Sequence, residues 1–158
     1  MKISILVLVL WLSYTLAMGQ DKAVAGDVEE KKEKNFAEKD VPAVVVAAFK
    51  AKFPNCKAEK WQKEDDGYEV EFDKGKDECE ALFKTDGTWV ETETELTEKQ
   101  VPAKAIAYIK TNFKGYKMKE FEYEETTASK LYEIEIKKDK EEWDLYFDSQ
   151  GNFVKKEK

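Results

Sequence analysis

Two stretches, "YEVEFD" from Tyr68 and "YEIEIK" from Tyr132, alternate strictly between apolar and charged residues. That two-residue period belongs to a strand buried on one face only. Upstream of each, apolar residues recur at helical spacing: Val45, Val46, Phe49 and Phe53 before the first, Ala105, Ile106, Ile109 and Phe113 before the second. Such spacing predicts two helices, each with a single apolar stripe. Pro42 and Pro102 suit the first helical position, where a missing N–H costs nothing, and each disfavours the helical region for the Val before it. Pro54 with Asn55, and Gly115 in the second case, stop the helices. After the first helix, strands are predicted near 57–64, 68–73, 76–84 and 88–96.

The same order of elements occurs twice. "VPAVVVAAFKAKFPNCK" from Val41 matches "VPAKAIAYIKTNFKGYK" from Val101, "GYEVEF" matches "LYEIEI", and "LFKTDGTWVETE" matches "YFDSQGNFVKKE". The second copy carries four extra residues within "EETTASKL", as expected of a turn. Asp86-Gly87 suits a two-residue type I′ hairpin, and a turn of that length sets Lys84 opposite Trp89 and Phe83 opposite Val90. Gln150-Gly151 gives the matching count, with Asp148 opposite Phe153 and Phe147 opposite Val154. Turns at Lys74-Gly75 and Lys138-Asp139 set Val70 across from Cys79 and Ile134 across from Trp143. The inward set is then Tyr68, Val70, Cys79, Ala81, Phe83 and Val90, with Tyr132, Ile134, Trp143, Leu145, Phe147 and Val154 in the second copy. The expected fold is α+β: a tandem repeat of one helix plus a four-stranded antiparallel meander, over residues 40–96 and 97–158, with one sheet face covered and the other open.

What precedes the repeats changes the picture of where the chain works. Residues 1–19 hold one Lys, an apolar run from Ile3 to Leu12 and small residues at Ala17 and Gly19, the pattern of a cleaved signal peptide. The apolar run is shorter than the roughly 20 residues of a membrane span, so the expectation is export to the periplasm or beyond, with no membrane insertion after cleavage. Residues 20–39 are charged and read as a flexible tether.

The net charge is −7, there is no Arg, and the leader holds only Lys2, so cleavage leaves −7 − 1 = −8. That balance offers no footprint for phosphate backbones, and nucleic acid is excluded as an expected partner. Histidine is absent, which removes the usual general base and the commonest zinc ligand. No carboxylate pair stands in an apolar setting of the kind acid–base catalysis uses. The chain is therefore not expected to be an enzyme, and no catalytic residue is assigned.

The paired headings "VPAVVVAAFKAKFPN" and "VPAKAIAYIKTNF", with the strands "WQKEDDGYEVEF" and "ALFKTDGTWVETETEL", resemble those of the β-lactamase-inhibitor-like, PepSY-like family. The resemblance runs from Val41 to about Lys156. It implies an exported bacterial protein of Bacteroidetes type whose two units together resemble the β-lactamase inhibitor protein fold. Inhibition of a β-lactamase does not follow, because a fold does not carry a function.

Three candidate sites remain. By the register above, Leu82, Trp89, Tyr146 and Phe153 point to the open sheet face, and apolar groups rimmed by Glu are what a protein-binding surface looks like. The competing reading is an ordinary solvated face with Lys84 lying over Trp89. No cofactor is expected; calcium is the one ion that the acidic turns "KEDDGYE" and "TDGTWVETETE" suit, although neither matches an EF-hand, and no metal ligands are assigned. Cys56 and Cys79 either form a disulfide or leave Cys79 as a buried thiol. The function expected is a non-catalytic binding or inhibitory module for a protein partner, the alternative a calcium-responsive envelope protein.

Overall fold

A computed structural model describes residues 35–65 and 67–158. The leader at 1–19 and residues 20–34 of the expected tether lie outside the described residues. Both helices form where the apolar stripes predict them, α1 over Ala43–Lys52 and α2 over Ala103–Asn112. Pro42 and Pro102 sit one position earlier than expected, as the caps, with φ −54 in each case. The strands are β1 (Asn35–Phe36), β2 (Ala58–Lys63), β3 (Gly67–Lys74), β4 (Asp77–Lys84), β5 (Trp89–Glu95), β6 (Lys117–Thr126), β7 (Lys130–Lys138), β8 (Glu141–Phe147) and β9 (Phe153–Glu157).

The end of the predicted tether is ordered. Asn35 and Phe36 pair with Gln62 and Trp61, and the Phe36 ring meets Tyr68 edge-on at 6.0 Å. An aromatic residue beside an open strand edge has both ladder partners and apolar surface to bury, which outweighs the polar composition around it.

The two copies form one sheet. All nine strands pair antiparallel in chain order, and β5 joins β6 through pairs such as Glu93 with Glu124 and Thr94 with Tyr123. Directly paired residues share a face. The row Cys79, Thr94, Tyr123, Tyr132, Phe147 therefore carries the helix-covered face across the seam, and both helices lie on one side. Under α1 the core is aromatic: Phe49 is fully buried and its ring meets those of Phe53, Trp61, Phe72 and Phe83 at 5.2–6.4 Å. Under α2 it is mainly aliphatic, with Ile106, Ile109, Ile134, Ile136 and Leu145 around Phe147.

Register departs from expectation in two ways, with opposite consequences. Val70 pairs with Ala81 and Ile134 with Leu145, two residues along from the predicted partners. A two-residue slip keeps every side chain on its face, so those inward residues stand. The terminal hairpins instead have three-residue loops: the Lys84 N–H donates to Thr88 O, the Gly87 N–H donates to Lys84 O, and Gly87 has φ +86. Asp86 does not share the positive φ that a type I′ turn demands.

The ladder then runs Phe83 with Trp89 and Leu82 with Glu91, leaving Val90 as the extra residue of a bulge. In the second copy Phe147 pairs with Phe153 and Tyr146 with Lys155, so Val154 is the extra residue there and is 50% exposed. Val90 and Val154 are thus not inward residues; Trp89 and Phe153 take that side. The loops are held from within, Asp86 accepting from the Thr88 N–H and Asp148 from the N–H groups of Gln150 and Asn152. They also rest on the helix starts, since a Cβ at Gly151 would lie 2.9 Å from Ala105 N.

Candidate functional site

The uncovered face is built from alternate residues of the eight strands β2 to β9, and most of them are acidic. Lys60 and Gln62 of β2 stand beside Glu71 and Glu69 of β3, which pair with Glu80 and Leu82 of β4. Glu80 pairs with Glu93, and Glu93 with Glu124 across the seam. One step along, Glu95, Glu122, Glu133, Tyr146 and Lys155 form a continuous row from β5 to β9.

Two carboxylate groupings stand out. In the first copy Glu69, Glu71 and Glu80 bring oxygens within 4.8 Å of one another. Positive charge and donors are supplied from within that copy: Lys60 Nζ bonds Glu71 at 2.7 Å, and the buried Gln62 amide donates to Glu69 at 3.2 Å and Glu71 at 3.1 Å.

The second grouping, Glu93, Glu122 and Glu133, is equally close, at 4.8 Å or less. It straddles the seam on β5, β6 and β7. Among the described residues no lysine pairs with any of the three; the lysines near this face are taken up elsewhere, Lys137 by Glu142 at 3.0 Å and Lys155 by Glu157 at 2.9 Å. Glu133 is 3% exposed, and its Oε2 has no hydrogen-bond partner. Burial, then the neighbouring Glu122, pushes its carboxyl up to about 9, a hydrogen bond from Tyr146 opposing the shift. Burial followed by repulsion from Glu80 raises Glu122 to about 7, and burial with Glu122 and Glu133 beside it holds Glu93 well above the ordinary carboxylate range. Glu135 is also raised to about 7, by burial and by Glu142.

Of the four residues predicted to anchor a partner, two are on this face. Leu82 is half-buried between Glu69 and Glu91. Tyr146 is buried, with Lys155 Nζ 3.9 Å from its ring centre. Trp89 and Phe153 are on the helix side because of the bulges. Lys52, not Lys84, lies over the Trp89 ring at 3.4 Å, and the indole N–H donates to Thr92. Phe153 stacks on Tyr108 of α2 at 5.0 Å. Cys56 and Cys79 are free thiols; Cys79 is buried against Thr94, its sulfur 3.5 Å from Oγ1, and burial raises its pKa. The turn carboxylates of Asp86 and Asp148 are engaged by backbone N–H groups, while both oxygen-rich groupings sit mid-sheet. Alternation along β5 to β7 marks these residues as outward in the sequence, but their burial follows from the joined sheet.

The family model described as "Putative beta-lactamase-inhibitor-like, PepSY-like" matches residues 27–78 and 66–155, most of the chain and both copies. The chain belongs to this PepSY-like family. Solved structures place the PepSY-like sheet among proteins of Bacteroides. A DUF2874 family protein of Bacteroides uniformis superposes with a TM-score of 0.64 at 18% identity, over 73% of this chain and 88% of that one. A Bacteroides eggerthii protein described as "putative periplasmic" gives 0.64 at 19%, over 74% and 88%. A BLIP-like protein of Bacteroides fragilis gives 0.62 at 22%, over 72% and 83%. At these identities the likeness establishes the fold, and the two-helix, nine-stranded PepSY-like architecture is BLIP-like. No curated protein matches the sequence. Among the described residues no helix is long and apolar enough to cross a membrane.

Proposed function

We propose that this PepSY-like protein is an exported, non-catalytic binding module of the periplasm that engages a basic protein surface through its open sheet face. The observation that carries this reading is the contrast between the two faces of one sheet. Helices cover one, while the other spans both copies with Glu on nearly every strand and Leu82 and Tyr146 set among them. A field of one sign focused by a concentrated set of carboxylates steers a complementary partner and suppresses acidic ones. Leu82 supplies apolar area, and Tyr146 stiffens the surface beneath Lys155. Trp89 and Phe153 serve the helix side instead.

The test is capture of periplasmic proteins by immobilised protein, comparing the parent with a Leu82→Ser, Glu91→Gln double variant and with a helix-face control, Val44→Ser. Supporting the reading, a basic partner would be retained by the parent and the control, lost from the open-face variant, and released by salt. Equal retention by all three would overturn it.

A further inference from the structure

The geometry points to a binding site for a divalent cation of the calcium class at the centre of the open face, held by the carboxylates of Glu93, Glu122 and Glu133. It goes beyond the partner reading and does not depend on it. One oxygen from each side chain lies within 4.8 Å of the other two. Calcium binds oxygen at roughly 2.3–2.6 Å, so ligands on opposite sides of it stand about 4.6–5.2 Å apart, and the three oxygens enclose such an ion with little movement of the strands. Magnesium, at roughly 2.0–2.1 Å with strict octahedral demands, needs a tighter set and keeps its waters.

A second observation is independent of the clustering. Glu133 is 97% buried by its 3% exposure; one of its oxygens belongs to the cluster, and its Oε2 has no hydrogen-bond partner. A buried carboxylate oxygen without a donor is costly; a bound cation removes that cost.

The duplication supplies an internal control. Trp61 pairs with Val70 and Gln62 with Glu69 in the first copy, as Phe121 pairs with Ile134 and Glu122 with Glu133 in the second. Lys60 and Gln62 therefore correspond to Glu120 and Glu122. Where the first copy places an ammonium and an amide against its carboxylates, the second places two more carboxylates, and among the described residues no lysine pairs with Glu93, Glu122 or Glu133. Since Glu93 belongs to the first copy and the other ligands to the second, the ion ties the copies together at their seam.

The test uses protein purified after export and stripped with EDTA, titrated calorimetrically with calcium chloride and melted with and without it. The expected result is one calcium per chain and a melting temperature higher by about 5 °C or more at saturation. Magnesium should give a smaller response, and sodium at matched ionic strength none. Glu133→Gln should remain folded and lose the calcium response, whereas Glu98→Gln, on an exposed turn before α2, should keep it. If Glu133→Gln does not fold, Glu93→Gln takes its place. No calcium response in the parent, a response matched by sodium, or one that survives substitution of the ligands would overturn the site.

Discussion

The two copies solve one electrostatic problem differently. Each places carboxylates from neighbouring strands against one another on the uncovered face. In the first, Lys60 and Gln62 meet Glu69 and Glu71 within 3.2 Å. In the second, Glu120 and Glu122 stand at the corresponding sequence positions, Glu122 paired with Glu133 as Gln62 is with Glu69, and Glu122 and Glu133 are pushed far above the ordinary carboxylate range. A backbone duplicated this closely isolates the effect of two side chains. One copy is complete by itself, and the other is built to hold protons or a cation.

The copies also differ beneath their helices, and that difference should give the largest effects. Phe49→Ala, which removes a ring in touch with four others, should destabilise by about 4 kcal/mol, and Ile109→Ala under α2 by about 3 kcal/mol. Chemical denaturation checks both. A single transition in each case is expected because β5 and β6 make one sheet; two separate transitions would mean that the copies fold independently.

Making the first copy resemble the second is the next step down. Lys60→Glu with Gln62→Glu removes the Lys60 contact to Glu71 and the Gln62 donors to Glu69 and Glu71, and adds two carboxylates beside them. The cost should be about 2–3 kcal/mol at mildly alkaline pH, below the range for fully buried pairs because Lys60 and Glu71 are each 27% exposed. Urea melts of parent and variant measure it, and calcium should partly restore the variant.

The third prediction concerns pH. Glu122, Glu133 and Glu135 have folded-state pKa values above their unfolded ones, so the native state binds more protons. Their contribution is fully present below about pH 4.5 and is lost as pH rises through about 7 and then about 9. The groups facing this set are Glu93, Glu95 and Glu80 toward the first copy, with Glu124, Asp144, Tyr146 and Lys155 toward β9. Asp148 works the other way: Asn152 holds its pKa low, so its contribution is lost only below about pH 4. Without calcium the melting temperature should fall by about 5 °C or more between pH 5 and 8. A flat profile would show that the buried carboxylates do not titrate differently on folding.

The smallest effect expected is at the displaced aromatics. Trp89→Ala loses the Lys52 contact and the bond to Thr92, about 1–2 kcal/mol by thermal melt, and leaves binding on the open face unchanged.

Much of this fold was legible in the residues. The repeated Val-Pro-Ala headings, the helical stripes and the alternating strands place nearly every element, and errors of two residues in the inner hairpins were harmless because the strand period is two. The site was less legible. Asp-Gly and Gln-Gly suit a two-residue turn, and only the three-dimensional rest of each hairpin tip on its helix makes the longer loop with a bulge, which turned Trp89 and Phe153 inward. Nor does alternation reveal which outward Glu residues will be buried; that required β5 to pair with β6. The signal that was present, and that aligning the copies exposes, is the replacement of Lys60 and Gln62 by Glu120 and Glu122.

That replacement is also the most direct test. Glu120→Lys with Glu122→Gln gives the second copy the side chains of the first, and a melt of this variant beside the parent, with and without millimolar calcium, decides the matter. The variant should be more stable than the calcium-free parent and gain nothing from calcium, while the parent gains. Equal melting temperatures with equal calcium increments would contradict the account.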